Sequence, residues 1–226
     1  MSSDREQSEP AAAPSSRLNM LSRSGHLEYD RILFFSDAIF AIAITLLVLD
    51  IRVPGHAHDA GAEIRAAVPN MVSFAISFGV IGLFWIGHHS ISRYIAAFDR
   101  GLITINLLFL GVIAFLPFPT GLLNTGGQGG SSRDATVFYA LSIAAAGLAE
   151  LAIWLYASHV KDLLVPEISP AMRRYVTLRL IPTPAVFLLS IPLAYFSPNL
   201  ATYFWLLILV VANFLNRFVR PGPPAS

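Results

Sequence analysis

Six stretches of the chain carry apolar residues with little interruption, at about 27–51, 64–90, 98–117, 135–158, 175–196 and 199–219. Each is near the roughly 20 residues with which an α-helix crosses a bilayer. The pattern predicts an all-α, polytopic integral membrane protein with six transmembrane helices. Polar breaks separate the stretches. A turn at Pro54-Gly55 opens the first break, and the glycine-rich run Gly126–Gly130 must lie outside the hydrocarbon. The link at Ser197-Pro198-Asn199 is so short that it makes the last two spans an antiparallel hairpin. Pro69 interrupts the second span early, Pro117-Phe118-Pro119 closes the third, and Pro182, Pro184 and Pro192 fall inside the fifth. Spanning helices tolerate prolines at the cost of kinks.

Residues 1–26 are rich in Ser, Ala, Pro and charge and lack an apolar core, so they read as a disordered tail and not as a signal peptide. Residues 220–226 form a similar short tail, leaving 27–219 as the membrane domain. Lys and Arg divide unequally between the two sides. One side holds Arg5, Arg17, Arg23, Arg31, Arg93, Arg100, Lys161, Arg173, Arg174, Arg179, Arg217 and Arg220; the other holds Arg52, Arg65 and Arg133. Positive charge favours the cytoplasm, which puts both termini there and agrees with an even number of spans.

Composition sharpens the class. Of the 226 residues 55% are hydrophobic and only 13% charged, against about 25% charged in soluble domains. The absence of cysteine excludes disulfides, thiolate catalysis and thiolate metal sites. A net charge of +1 without a basic, aromatic surface gives no reason to expect nucleic acid.

The candidate chemistry lies in the few polar groups inside the spans. Ser36 and Asp37 sit side by side near the start of the first. A charge there costs roughly 2.5–3.5 kcal/mol by the lowest estimates, so it faces a partner, the bundle interior or water. Trp85 and His88 lie near the cytoplasmic end of the second span, and Asn106 lies in the third. At ~1.5 Å rise per residue, these groups share one layer with Ser36 and Asp37, and Arg31 sits just below. A hydrogen-bonded cluster there serves either as interhelical glue or as a proton-sensing or gating network centred on His88. Glu150 in the middle of the fourth span either bonds to a neighbouring helix or meets water at a subunit interface. His56 and His58 form an H-x-H pair in the outer loop, with no carboxylate at helical spacing to complete a metal site, and His89 and His159 fall at helix ends. No metal site and no cofactor is expected.

The segment Arg31-x-x-x-Phe35-Ser36-Asp37 followed by Ala41-Ile42-Ala43-Ile44-Thr45-Leu46-Leu47 strongly resembles the signature of the transmembrane protein 175 family of potassium channels. Trp85-x-x-His88 and Asn106 with Leu116-Pro117-Phe118-Pro119 are similar to further family landmarks. The motif occurs once, as in the short prokaryotic form with one six-helix repeat per chain. The resemblance implies a homotetramer in the prokaryotic cell membrane that conducts potassium passively. Its central pore would be lined by the first helix of each subunit, without a backbone-carbonyl filter; no Thr-Val-Gly-Tyr-Gly loop occurs here. It also implies apolar narrow points at Ile42, Leu46 and Leu49, with the Thr45 hydroxyl beside them. Arg31, Ser36 and Asp37, with Trp85, His88 and Asn106, would then hold the pore helix in place from behind. Positions 42, 46 and 49 follow i, i+4, i+7 and share a helical stripe. The helix is apolar nearly all round, so this spacing alone does not separate a pore stripe from packing.

Two other classes compete. A proton- or ion-coupled secondary transporter would use Asp37, His88 and Glu150 as relay groups, but such proteins usually show internal repeats, and Phe-Ser-Asp does not recur after residue 110. A membrane enzyme lacks equipment here: the chain has no His-Glu-x-x-His, no paired intramembrane aspartates and no Gly-x-Ser-x-Gly.

Overall fold

The first helix starts well before the apolar run that it carries into the membrane. In the computed structural model, which describes residues 14–51, 59–125, 133–160 and 162–208, α1 runs Pro14–Leu46 and tightens into a single 3-10 turn at Leu47–Asp50. Residues 14–26, expected within a disordered tail, are therefore helical. Extending an existing helix backward adds one backbone bond per residue without a new nucleation cost. The apolar span itself is Leu27–Leu49, close to expectation.

Helix α2 (Ala60–Ser92) begins at an Asp59 cap, whose carboxylate accepts from the Gly61 amide, and it continues through position 69 without the expected interruption. Helix α3 (Arg100–Phe115) is capped by Asp99, which accepts from the Leu102 amide at 2.7 Å. After a turn at Leu116, α4 (Pro117–Thr125) starts on Pro117, so the Pro-Phe-Pro segment opens a second helix instead of ending the span. Helix α5 covers Arg133–His159. The fifth expected span is two helices, α6 (Pro170–Leu180) and α7 (Pro182–Phe196), meeting at Ile181. Pro182 has no amide hydrogen to continue the ladder and resets it. Helix α8 (Pro198–Trp205) follows at once, forming the expected tight hairpin with α7.

Among the described residues five segments are long and apolar enough to cross a membrane: Leu27–Leu49, Phe74–Ser92, Arg100–Leu123, Arg133–His159 and Pro170–Phe196. Most of the expected sixth span, 199–219, lies outside the described residues, as do His56, His58 and the Gly126–Gly130 run. Among the described residues the only β-type pairing is an isolated bridge between Ile95 and Leu164, which ties the α2–α3 connection to the α5–α6 connection.

Packing is organised on α5, which lies against α3, α4 and α7, while α1 packs on α2 and α3. Gly147 lets α5 approach α7 closely: a Cβ there would stand 2.8 Å from Pro184 Cδ. Gly101 on α3 lies under the Tyr156 ring of α5, whose hydroxyl donates to Asp99 at 2.8 Å. In lipid the tails are as apolar as leucine, so such close contacts and interhelical hydrogen bonds drive association. The described spans differ in what they leave open. The α5 span is 56% buried within the chain, and the Leu27–Leu49 span only 22%.

Candidate functional site: the two faces of the first helix

Helix α1 has a packed face and an open one. Ser36, Phe40, Ala43 and Leu47 are at most 1% exposed, and at 100° per residue they fall within about 60° of one another. Ile42, Leu46 and Leu49 are 54%, 42% and 72% exposed. They lie roughly 80–120° away from the packed face. The 3-10 turn keeps Leu49 on this stripe, because residues three apart in such a turn eclipse one another. Thr45 is exposed as well, and its hydroxyl donates to the Ile42 carbonyl at 2.8 Å. Its proton is thus held against the backbone while its lone pairs remain available.

Behind the packed face runs a one-directional chain of hydrogen bonds. Ser36 Oγ donates to the Ile32 carbonyl at 2.9 Å, so it is free to accept from Asn106 Nδ2 at 3.1 Å. Asn106 Oδ1 in turn accepts from His88 Nε2 at 2.9 Å, which places the imidazole proton on Nε2. A flipped amide would leave Ser36 asked to donate twice. The three side chains are buried at 0–3% exposure. Aromatic rings enclose the imidazole. Phe109 stacks on it at 5.4 Å between centroids, and Phe40 lies at 5.9 Å. Ser92 Oγ donates to the His88 carbonyl, and the Ser92 carbonyl accepts from the Tyr29 hydroxyl at 2.7 Å. This second tie joins α2 to the start of the α1 span.

Asp37 belongs to a separate pair. Its Oδ1 accepts from Trp85 Nε1 at 2.8 Å, and the Trp85 ring stacks on His89 at 5.5 Å. Both partners of the pair are exposed within the single chain. The expected single cluster is thus two contacts on different sides of α1, one buried and one open. Arg31 joins neither. It is exposed, and no hydrogen bond or ion pair links it to the cluster among the described residues. The cause is geometric: Arg31 is about 140° around the helix from Ser36 and only about 20° from Ile42. It shares the open stripe instead of the anchored face.

Glu150 Oε1 makes no hydrogen bond to a neighbouring helix among the described residues, and the residue is 5% exposed. That oxygen rests against Gly87 of α2 in place of a side chain. Nothing in the sequence pointed to Phe109 and Phe40 as the walls around His88. His89 is exposed as expected for a helix end, and exposed His159 donates through Nδ1 to the Leu155 carbonyl at 2.7 Å.

Comparison with known proteins fits this arrangement. Residues 31–117, which contain both anchoring contacts and the open stripe, match the family model described as endosomal/lysosomal potassium channel TMEM175. A relative from Streptomyces collinus, named potassium channel B446_29190, is 36% identical over 180 residues, 76% of this chain and 85% of the relative. Potassium channel Cha6605_3372 of Chamaesiphon minutus is 35% identical over 144 residues, 62% of this chain and 71% of the relative. Among solved structures, a crystal structure of a lysosomal potassium-selective channel TMEM175 homolog from Chamaesiphon minutus superposes with a TM-score of 0.72 at 29% identity. The match covers 84% of this chain and 98% of that one. The chain belongs to the TMEM175 family of channels.

Proposed function

We propose that four copies of this chain enclose a central potassium pathway in the prokaryotic plasma membrane, with both termini in the cytoplasm. The open face of α1 lines the pore. The observation that carries this reading is the opposition of two faces on one helix: Ile42, Leu46 and Leu49 stand open while Ser36 on the packed side is pinned through Asn106 to His88. Four such stripes about an axis make stacked apolar rings. An apolar ring gates by dewetting, and an ion sheds part of its hydration to pass. Potassium holds its water less tightly than sodium, so the ring favours potassium. Thr45 offers hydroxyl lone pairs beside the constriction and eases the loss of water there.

The buried chain sets the rotation of α1. Removing Ser36 from Asn106 would let the helix turn and carry Ile42 off the axis, so Ser36, Asn106 and His88 act as positioning residues. The Trp85–Asp37 pair limits rotation from the other side.

A coupled transporter using Asp37, His88 and Glu150 is less well supported. Among the described residues no hydrogen bond joins the three, because each is engaged or enclosed separately. The test is a potassium-gradient flux assay on purified protein in liposomes, with sodium alongside. Rapid, passive, potassium-preferring flux without a proton gradient is the expected result. Slow flux that demands a proton gradient would replace the channel with the transporter.

A further inference from the structure

The buried carboxylate of Glu150 forms part of the wall of a cavity that the channel reading does not use. The cavity has a volume of about 400 Å³ and lies between α2, α5, α7 and α8, within the usual range of small-molecule sites. Its walls include Gly79, Tyr139, Thr183, Phe187 and Trp205, with Glu150 as the one carboxylic acid. The aromatic rings form a continuous surface: Tyr139 to Trp205 is 5.2 Å, Phe187 to Trp205 is 5.1 Å and Tyr139 to Phe187 is 6.3 Å between centroids. Two other polar lining atoms are already committed. Trp205 Nε1 donates to Ser190 Oγ at 2.8 Å, and Thr202 Oγ1 donates to the Pro198 carbonyl at 3.0 Å. Glu150 Oε1 lacks a hydrogen-bond partner among the buried side-chain atoms described; it rests against Gly87, which lines a neighbouring cavity, so the carboxylate stands at the boundary of the two.

We propose that this cavity is a binding site for a hydrophobic monoamine, with the ammonium on the Glu150 carboxylate and the apolar body along Tyr139, Phe187 and Trp205. The chemistry converges on this class. An isolated carboxylate buried in apolar surroundings is costly, and an ammonium partner relieves that cost if the geometry is close. Ring faces attract cations as well as apolar carbon. The cavity extends along α2 from Ala75 to Leu83, roughly 12 Å at ~1.5 Å per residue, which suits an elongated molecule with its charge at one end. An anion would face the carboxylate, and a small hydrated cation would find no second carboxylate among these walls. Arg179, the cation whose charge reaches Glu150, is exposed and lines a neighbouring cavity.

The experiment uses the full chain in lipid nanodiscs, with empty nanodiscs as the background. The probes are 4-phenylbutylamine and its neutral counterpart 4-phenylbutanol, read by tryptophan fluorescence and thermal midpoint. The amine should bind saturably and raise the midpoint, and the alcohol should bind roughly ten-fold more weakly or worse. Glu150→Gln should bring the amine down to the level of the alcohol. Gly79→Phe should block both probes, since an added side chain there enters open space with nothing within 4 Å of its first carbon. Equal binding of the two probes by the unmodified protein would overturn the proposal and show a pocket for apolar chains alone. Undiminished amine binding by Glu150→Gln would overturn it too. The comparison on the unmodified protein decides the matter even where Glu150→Gln does not fold.

Discussion

Replacing Asn106 with leucine tests whether the buried chain holds α1. The substitution removes two interhelical hydrogen bonds, from His88 to Asn106 and from Asn106 to Ser36. In membrane proteins each is worth about 0.6 kcal/mol on average. Ser36 keeps its own bond to the Ile32 carbonyl, so nothing on α1 is left wanting. His88 Nε2–H, at 3% exposure, loses its only described acceptor, which adds about 1–3 kcal/mol for an unsatisfied buried donor. The sum is about 2–4 kcal/mol. Ser36→Ala loses one bond and strands only an amide hydrogen, so it should cost about 1 kcal/mol. Replacing both buried partners with apolar groups of similar shape leaves no orphan. The double variant His88→Phe/Asn106→Leu should therefore regain part of what Asn106→Leu loses. The assay is the detergent-unfolding midpoint of the purified protein at one fixed concentration, because the stability of an oligomer depends on protomer concentration. A cost for Asn106→Leu no greater than that for Ser36→Ala, or a double variant at the strict sum of its singles, would refute the reasoning.

Two shorter predictions use other contacts. Asp37→Ala leaves Trp85 Nε1 without its acceptor and should lower the assembled fraction on size exclusion, whereas Asp37→Asn, which keeps an acceptor oxygen, should lose less. A fully assembled Asp37→Ala channel with altered selectivity would contradict a supporting role. Gly147→Val should destabilise by about 1–3 kcal/mol through overpacking, since even its Cβ would stand 2.8 Å from Pro184 Cδ. A melting midpoint unchanged from the parent would show that α5 and α7 can separate freely.

Much of this was legible because polar residues in an apolar run are conspicuous. Ser36, Asp37, Trp85, His88 and Asn106 stand out by cost alone, and depth along each helix put them in one layer. Depth does not give azimuth, however. The sequence could not say that Ser36 turns inward to Asn106 while Asp37, the next residue, turns to Trp85. The same blindness put Arg31 with the anchors, although it lies beneath Ile42. Proline gives no reliable helix end here: Pro117, expected to close a span, begins a helix, Pro182, expected as a kink inside one, begins another, and position 69 does not interrupt its helix. The start of α1 at Pro14 was hidden because hydropathy marks where a helix enters lipid, not where it begins. Glu150 was visible as an expense, but its setting beside Gly87 and an aromatic cavity depends on four helices meeting, which no local pattern records.

The central claim is that the open stripe of α1 chooses the ion, and Ile42 is its most direct test. The measurement is the reversal potential of reconstituted protein with potassium on one side and sodium on the other, for the parent and for Ile42→Asn. A polar ring relieves the dehydration that separates the two ions, so the account predicts sustained current with a reversal potential moved toward zero. Sustained current with an unchanged reversal potential would remove Ile42 from the selectivity region and contradict the account.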